Sequence, residues 1–337
     1  MKKNSTLQVL GTEAIDNILD HYQLLWFHYI FEKEDSGFAA FFSEVDFSKL
    51  SDLKSKKILT LLEDKTVQTA LVDYFASTAI EFIFEHYQFL QLNEQDEFSL
   101  KKIYVDLFNR LKIVLYENQS IQNFEKIWEE LLKGHFNDLK DFIQKSFAKN
   151  NGGRTKENIN VSSTICYEYS PDLQLKILNI DLAELVEPVL DIGCGKSGKL
   201  VKYLNEKGLK TIGVDRIIGN SEMFVKSEWL KYPLKNEFWG TIISHMSFSN
   251  HFIFHHLYKY GAPEKYAQKY MDILASLKIG GSFYYSPGLP FIETYLPPSK
   301  YLLKKFKVET PGKNLSKMHE LLDEDVFYSC QVQKIDF

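Results

Sequence analysis

The strongest structural signal in this 337-residue chain is the stretch Val189-Leu190-Asp191-Ile192-Gly193-Cys194-Gly195-Lys196-Ser197-Gly198-Lys199. The apolar run from Pro188 to Asp191 predicts a buried strand, and the residues from Lys199 to Lys207 predict a helix that Gly208 ends. A glycine-rich turn between a strand and a helix lets a ligand approach the backbone, with the N–H groups of the helix facing it. The stretch therefore predicts a ligand site in an α/β fold.

Two common glycine loops fit this stretch only in part. A nucleoside-triphosphate loop has the same glycine–lysine spacing, but it needs a Ser or Thr for magnesium where this chain has Leu200. A dinucleotide-binding loop has the same three glycines and an acid near the position of Asp215 to hold a ribose. However, that pattern normally has an apolar residue at the position of Asp191. A nicotinamide-dependent dehydrogenase stays open as one alternative.

The chain after the loop alternates short apolar runs with helical stretches. Strands are predicted at 211–215, 240–244 and 282–285, and a helix with its inner face between Tyr266 and Leu277 precedes the last of them. Such alternation is typical of parallel sheets whose connecting helices cover both faces. The fold class predicted for this part is α/β, with a Rossmann-like, mostly parallel sheet.

The first part of the chain has a different composition. All nine prolines lie at Pro171 or later, and only three of the 17 glycines precede Gly152. Apolar residues recur at three- and four-residue spacing from Ile121 to Ile143, which predicts a helix of about six turns. We therefore predict an all-α domain over residues 1–152, acting as a lid or as a homodimer surface, and an α/β domain over residues 153–337.

Composition and charge exclude several classes of function. The net charge is −5 and only three arginines are present, so a nucleic-acid partner is not expected. No apolar run approaches the length that spans a bilayer, and no signal peptide is evident, so we expect no membrane partner and a cytoplasmic location. Three scattered cysteines predict neither a disulfide framework nor a structural zinc site.

Several segments together resemble the class I S-adenosylmethionine (SAM)-dependent methyltransferases. The resemblance runs through Val189–Gly195, Gly213–Asp215, Ser227–Leu230, the strand that ends at Ser244-His245, and Leu277–Phe283. It covers roughly Tyr169 to Tyr295, which is less than half of the chain. It implies the methyltransferase version of the Rossmann-like fold, with SAM as cofactor and a small-molecule substrate.

The resemblance implies roles for residues of the first two strands. Asp191, Gly193 and Gly195 would line the methionine part of SAM. Asp215 would accept hydrogen bonds from both ribose hydroxyls, because a carboxylate offers two oxygens to a diol. Arg216, the next residue, is interpreted as a solvated neighbour.

It also implies roles for residues farther along the chain. Glu228 matches the acid that accepts from the adenine amino group, and Trp229 would flank the adenine ring. The alternative for this pair is a surface acid beside a core aromatic residue. Ser244 and His245 would offer backbone contacts to the methionine ammonium.

The segment Ser244–Phe252 follows the fourth strand, where this fold places substrates. Ser247, Asn250 and His251 are its candidate catalytic residues, and His251 is a candidate general base because imidazole titrates near neutrality. His255 lies four residues later, so a helix would present both histidines to one metal. No third ligand follows by spacing, so we favour packing histidines and expect no metal.

Two tyrosines are further pocket candidates. Tyr169 precedes the first strand and is grouped with the catalytic candidates, whereas Tyr285 ends the fifth strand and is grouped with the cofactor-binding ones. A sulfonium is a cation, and aromatic faces stabilise cations. Core packing is the alternative for either ring, because the chain contains 26 Phe and 19 Tyr residues.

Three functions follow from these patterns. The first is a SAM-dependent enzyme that transfers a methyl group to a small metabolite. The second rests on Ser247–His256 and Tyr285–Glu293, which are similar to bacterial azetidine-2-carboxylate synthases; in those enzymes the amino nitrogen of SAM attacks its own γ-carbon and releases methylthioadenosine. The neutral side chains of Tyr169, Ser247 and Asn250 suit an uncharged amine. The third is a non-catalytic SAM-binding module.

Overall fold

A computed structural model describes residues 59–60, 62–86, 89–116, 121–150, 169–257, 261–308 and 326–336. They form two compact units. The first lies within residues 1–83 and 90–156, and the second within residues 84–89 and 157–337. The boundary predicted between residues 152 and 153 lies outside the described residues.

The described part of the first unit is helical. Its helices are α1 (Lys65–His86), α2 (Glu94–Tyr116) and α3 (Ile121–Asn150). Helix α2 begins where Asn93 and Asp96 cap each other, since each side chain accepts a hydrogen bond from the other's backbone N–H at 3.0 and 2.9 Å. It packs against α3, whose buried stripe contains Leu132, Phe136, Leu139 and Ile143. Residues Phe84–Phe89, which begin in the last turn of α1, belong to the second unit.

The second unit is built on one seven-stranded sheet with the order β3-β2-β1-β4-β5-β7-β6. The strands are β1 (Val189–Ile192), β2 (Thr211–Asp215), β3 (Phe224–Lys226), β4 (Trp239–His245), β5 (Leu277–Ser286), β6 (Tyr301–Lys307) and β7 (Tyr328–Lys334). The helices are α4 (Pro171–Leu178), α5 (Lys199–Glu206), α6 (Phe248–Leu257), α7 (Pro263–Ser276) and the short α8 (Pro290–Glu293).

The sheet is mostly parallel, as predicted. Strands β1 to β5 pair in parallel, whereas β7 is antiparallel to both of its neighbours, β5 and β6. Helices cover both faces, because successive strand residues point to opposite sides. The face that contains Leu190 and Ile242 packs with α6 and α7. The face that contains Val189 and Ile243 packs with α4 and α5.

The topology brings the ends of several strands together. Strand β1 lies between β2 and β4, and the sheet order reverses there. In open α/β sheets the crevice at the carboxyl ends of such strands is where ligands bind. Asp191, Asp215, His245 and Ser286 all lie at the carboxyl ends of their strands, at this edge of the sheet.

Candidate cofactor and substrate site

The glycine loop between β1 and α5 has a backbone that only glycine adopts easily. Gly193, Gly195 and Gly198 have φ values of +79°, +71° and +55°. The N–H of Gly193 donates to the carbonyl of Val214 at 2.8 Å, which ties the loop to β2. A Cβ at Gly193 would collide with the side chain of Ser247 and lie 2.9 Å from Cζ3 of Trp229. The absent side chain therefore makes room for these two residues.

Asp215, at the end of β2, is held by backbone donors. Gly195 N–H donates to its Oδ2 at 2.9 Å, and Ile217 N–H donates to its Oδ1 at 3.1 Å. Burial raises the pKa of this carboxyl, and the two N–H groups oppose that rise. Each oxygen accepts one hydrogen bond and keeps further lone pairs for a ligand. The carboxylate is thus oriented but not saturated.

Asp191, at the end of β1, has an unusual environment for a carboxylate. The residue is 3% exposed, and its carboxylate makes no hydrogen bond with any residue that the structure describes. Burial and, secondarily, the charge of Asp215 raise its pKa to about 7. A buried carboxylate normally has a hydrogen-bond or charged partner. The Asp191 carboxylate therefore has lone pairs available to a ligand group in the crevice.

Arg216 is a functional candidate that the sequence interpretation missed. It was expected to be solvated, and that expectation is wrong. Its side chain is half-buried, and its guanidinium carbon lies 3.6 Å from the ring centroid of Phe84. Burial lowers its pKa, and the charges of Asp215 and Glu228 oppose that effect. An arginine beside an aspartate in sequence gives no sign of a ring more than a hundred residues earlier.

Two serines, Ser244 and Ser247, hold the start of α6 against the end of β1. Ser247 Oγ donates to the carbonyl of Ile192 at 2.7 Å and lies 2.7 Å from Ser244 Oγ. Ser244 Oγ also accepts from the N–H of Phe248 at 3.1 Å. These bonds tie the start of α6 to the end of β1. The structure therefore brings Ser247 to the glycine loop, where its hydroxyl already has protein partners.

Two buried polar atoms in this segment have no hydrogen-bond partner among the described residues. Asn250 is 5% exposed; its Nδ2 donates to the carbonyl of Met246 at 2.8 Å, but its Oδ1 is unpaired. His245 is also 5% exposed, and its Nε2 is unpaired. Burial lowers the pKa of His245 to about 4, so the imidazole is neutral. The Tyr169 ring lies 5.6 Å from it.

His251 is enclosed by aromatic rings. Trp229 and Phe89 contact it edge to face, with centroids 4.8 and 4.9 Å away. Its Nδ1 lies 3.5 Å from the hydroxyl of Tyr266. Burial, followed by the charge of Arg216, holds the pKa of His251 well below its usual value. A neutral imidazole of low basicity is a poor general base at neutral pH, so the site favours a packing and hydrogen-bonding role.

The second histidine of α6, His255, makes contacts that stabilise the fold. His255 Nδ1 accepts from the N–H of Ala262 at 3.2 Å, and the ring stacks on Tyr266 at 4.6 Å. Within the described part of the chain, no cluster of three or more metal-ligating side chains is found.

Tyr285 joins a different group of side chains. Its hydroxyl donates to Glu293 Oε1 at 2.8 Å and lies 3.0 Å from the hydroxyl of Tyr270. The other oxygen of Glu293 accepts from Tyr328 at 2.6 Å and pairs with Lys305 at 2.8 Å. No hydrogen bond or ring contact joins Tyr285 to the glycine loop in the residues that the structure covers. Its backbone lies opposite the candidate Ser244 in the pairing of β4 with β5, but its hydroxyl bonds to Glu293 and Tyr270 instead of to the glycine loop.

The arrangement of the second unit now decides its fold. A parallel sheet with the order 3-2-1-4-5-7-6, an antiparallel seventh strand, and acids ending β1 and β2 around a glycine loop match the predicted class. The second unit has the class I SAM-dependent methyltransferase fold.

Comparisons with known proteins give limited further detail for this methyltransferase fold. No protein-family model matches the chain, and no curated protein sequence matches it. Among solved structures, the plantazolicin methyltransferase BpumL in complex with SAH is 14% identical, with a TM-score of 0.30; the match covers 44% of this chain and 76% of that one. A SAM-dependent methyltransferase from Archaeoglobus fulgidus is 17% identical, with a TM-score of 0.30 and coverage of 50% and 96%. Similarity at these values assigns no function.

None of the helices in the described residues is long and apolar enough to cross a membrane.

Proposed function

We propose that this protein binds SAM at the carboxyl ends of β1, β2 and β4 and catalyses methyl transfer to a small-molecule acceptor. The observation that carries this proposal is Asp191, whose buried carboxylate lacks a hydrogen bond in the described residues and has a pKa of about 7. A cationic ligand group would supply the missing partner and favour the ionised form. SAM carries two such groups, an ammonium and a sulfonium.

The surrounding side chains fit the rest of this cofactor. Asp215 is oriented by two backbone N–H groups and keeps lone pairs for a ribose diol. Asn250 Oδ1 is a buried acceptor without a partner among the described atoms, which suits the hydrogens of the ammonium. Glu228 is proposed to accept from the adenine amino group, with Trp229 beside the ring. Asp191 then balances the charge of the methionine part.

When bound, SAM supplies a methyl carbon made electrophilic by the positive sulfur. The task left to the chain is to orient the acceptor and to exclude water. His245 and His251 have lowered pKa values, so both imidazoles stay uncharged near neutral pH and repel no cation. The unpaired Nε2 of His245 is proposed to accept a hydrogen bond from the hydroxyl or amine that is methylated. Burial of these polar atoms supports an enclosed, small acceptor.

A second candidate is azetidine-2-carboxylate synthesis, with SAM as the substrate itself. Its amino nitrogen would bond to the γ-carbon, the carbon–sulfur bond would break with its electron pair going to sulfur, and the nitrogen would lose a proton. One observation favours this candidate: the unpaired polar atoms of Asn250 and His245 are uncharged. Neutral surroundings favour an uncharged amine. A SAM-binding module without turnover is the third candidate.

Calorimetry and product analysis test the proposal. We expect the purified protein to bind SAM and S-adenosylhomocysteine, but not ATP–magnesium. Tight ATP binding without SAM binding would overturn the assignment. SAM is then incubated with the protein alone, and the released nucleoside is identified. Methylthioadenosine formed faster than SAM decomposes in buffer would favour the cyclase, whereas S-adenosylhomocysteine formed only after small acceptors are added would support methyl transfer. Binding with neither product would leave the non-catalytic module.

A further inference from the structure

One short segment outside the sheet reaches the loops around the site. Phe84–Phe89 lies about a hundred residues before β1 in the sequence, yet it belongs to the second unit. Glu85 Oε1 pairs with Lys196 of the glycine loop at 2.6 Å. The segment also contacts the residue after β2 and a histidine of α6. A single segment thus contacts the chain after β1, β2 and β4, the three strands that surround the proposed cofactor.

The contact with Arg216, the residue after β2, is a cation–π interaction. The ring of the buried Phe84 lies 3.6 Å from the guanidinium carbon of Arg216. Arg216 in turn lies close enough to Asp215 and Glu228 for their charges to affect its pKa. These two acids are the proposed partners of the ribose and the adenine. Phe84 therefore fixes an arginine beside the carboxylates that would hold the nucleoside.

The contact with α6 continues as a row of rings. Phe89 stacks on Phe254, with centroids 4.4 Å apart and an interplanar angle of 2°. It also contacts His251, which makes a second edge-to-face contact with Trp229. Trp229 Cζ3 would lie 2.9 Å from a Cβ at Gly193, so the ring is next to the glycine loop. Packing thus runs from Phe89 through His251 and Trp229 to the glycine loop.

We propose that Phe84, Glu85 and Phe89 form a wall of the SAM site, in which Phe84 positions Arg216 and Phe89 positions Trp229 through His251. This inference rests on the proposed function. The wall encloses the nucleoside side of the site, so its aromatic residues set the affinity for SAM without taking part in the chemistry. Phe84 and Phe89 are accordingly positioning residues.

Substitutions of Phe84 separate the ring's electrostatic contribution from its bulk. Phe84→Leu keeps an apolar side chain but removes the π face, whereas Phe84→Tyr keeps the face. We expect the Kd for SAM to rise about fivefold in Phe84→Leu and to stay within about twofold of the native value in Phe84→Tyr. The matched control is Phe98→Leu in α2, which removes an exposed cation–π contact with Lys102 and should leave the Kd unchanged.

Equal SAM affinities for Phe84→Leu and the native protein, with both folded, would overturn the inference. A second measurement needs no variant: amide hydrogen exchange of residues 84–89 and 193–198 in the native protein, with and without SAM. We expect both segments to exchange more slowly when SAM is added, and protection of the glycine loop without protection of 84–89 would also overturn the wall. If the native protein binds no SAM by calorimetry, the proposed function itself fails.

Discussion

Replacing Asp191 with Asn should stabilise the ligand-free protein and weaken SAM binding. The carboxylate is buried without a hydrogen bond in the described residues, so ionising it costs free energy that the amide does not incur. The pKa of Asp191 is raised from an ordinary 3.8 to about 7. The folded protein therefore binds a proton more tightly than the unfolded chain, and the stability of the native protein falls as pH rises from about 4 to about 7.

The size of the effect follows from this pKa. Each pH unit between the two pKa values is worth about 1.4 kcal/mol, so raising the pH from 5 to 8 should destabilise the native protein by about 2.5 kcal/mol relative to Asp191→Asn. For a folded unit of this size, the Tm of the native protein should therefore fall by about 5 to 10 °C more than the Tm of Asp191→Asn when the pH is raised from 5 to 8. The variant should also lose about 1.5–3 kcal/mol of SAM binding at pH 8, since a charged partner is removed.

Thermal unfolding at pH 5 and pH 8, followed by calorimetry with SAM at pH 8, measures both effects. Asp138→Asn on α3 is the control. Asp138 is exposed, so this variant should show the same change in Tm between pH 5 and pH 8 as the native protein. The reasoning is refuted if the difference in Tm between the native protein and Asp191→Asn is the same at both pH values. A variant that is more stable at pH 8 and binds SAM unchanged would show that Asp191 is not a ligand partner.

Three further predictions concern the same site. Asp215→Ala should keep the fold and weaken SAM binding by roughly 1.5–3 kcal/mol, as measured by calorimetry; unchanged affinity would mean that the ribose binds elsewhere. Gly193→Ala should lower Tm and abolish SAM binding, because a Cβ at φ +79° would collide with its neighbours; Gly208→Ala, at φ +85° with nothing within 4 Å, is the control that isolates backbone strain. His251→Gln should lessen the loss of stability that urea titrations measure between pH 6.5 and pH 5, because the lowered pKa of the folded histidine means that only the unfolded chain gains a proton in this range. A variant that loses as much stability as the native protein over this range would contradict a neutral, buried imidazole.

The central strands β1, β2 and β4 could be predicted from the sequence because they are buried on both faces, whereas the edge strands β3 and β6 are partly exposed and were not predicted. The strand predicted at 211–215 has those bounds in the structure, and β1 and β4 begin and end within a residue or two of their predicted limits. Parallel strands of this kind form short apolar runs with helices between them. Asp191 and Asp215 could be predicted as site residues for a related reason, because a charged residue at the end of an apolar run is placed at the end of a buried strand.

Contacts between distant parts of the chain could not be predicted from the sequence. Nothing in the sequence around Phe84 indicates that its ring lies against Arg216. The unpaired atoms of Asn250 and His245 depend on the way in which α6 leaves β4, which no local pattern encodes. Tyr285 shows the opposite failure. Its place at the end of β5 indicates the site, but its hydroxyl bonds to Glu293, eight residues farther along the chain in α8.

The place of β7 has a consequence for synthesis on the ribosome. This strand comes after all the other described strands in the chain, yet it lies between β5 and β6. Among the described strands, β6 pairs with β7 alone, so β6 has no place in the sheet until residues 328–334 have been made. A nascent chain that stops before Tyr328 can assemble five strands at most, and β5 would be left with an open edge. Premature termination just before the last strand would thus remove two strands from the sheet and expose a new surface for aggregation.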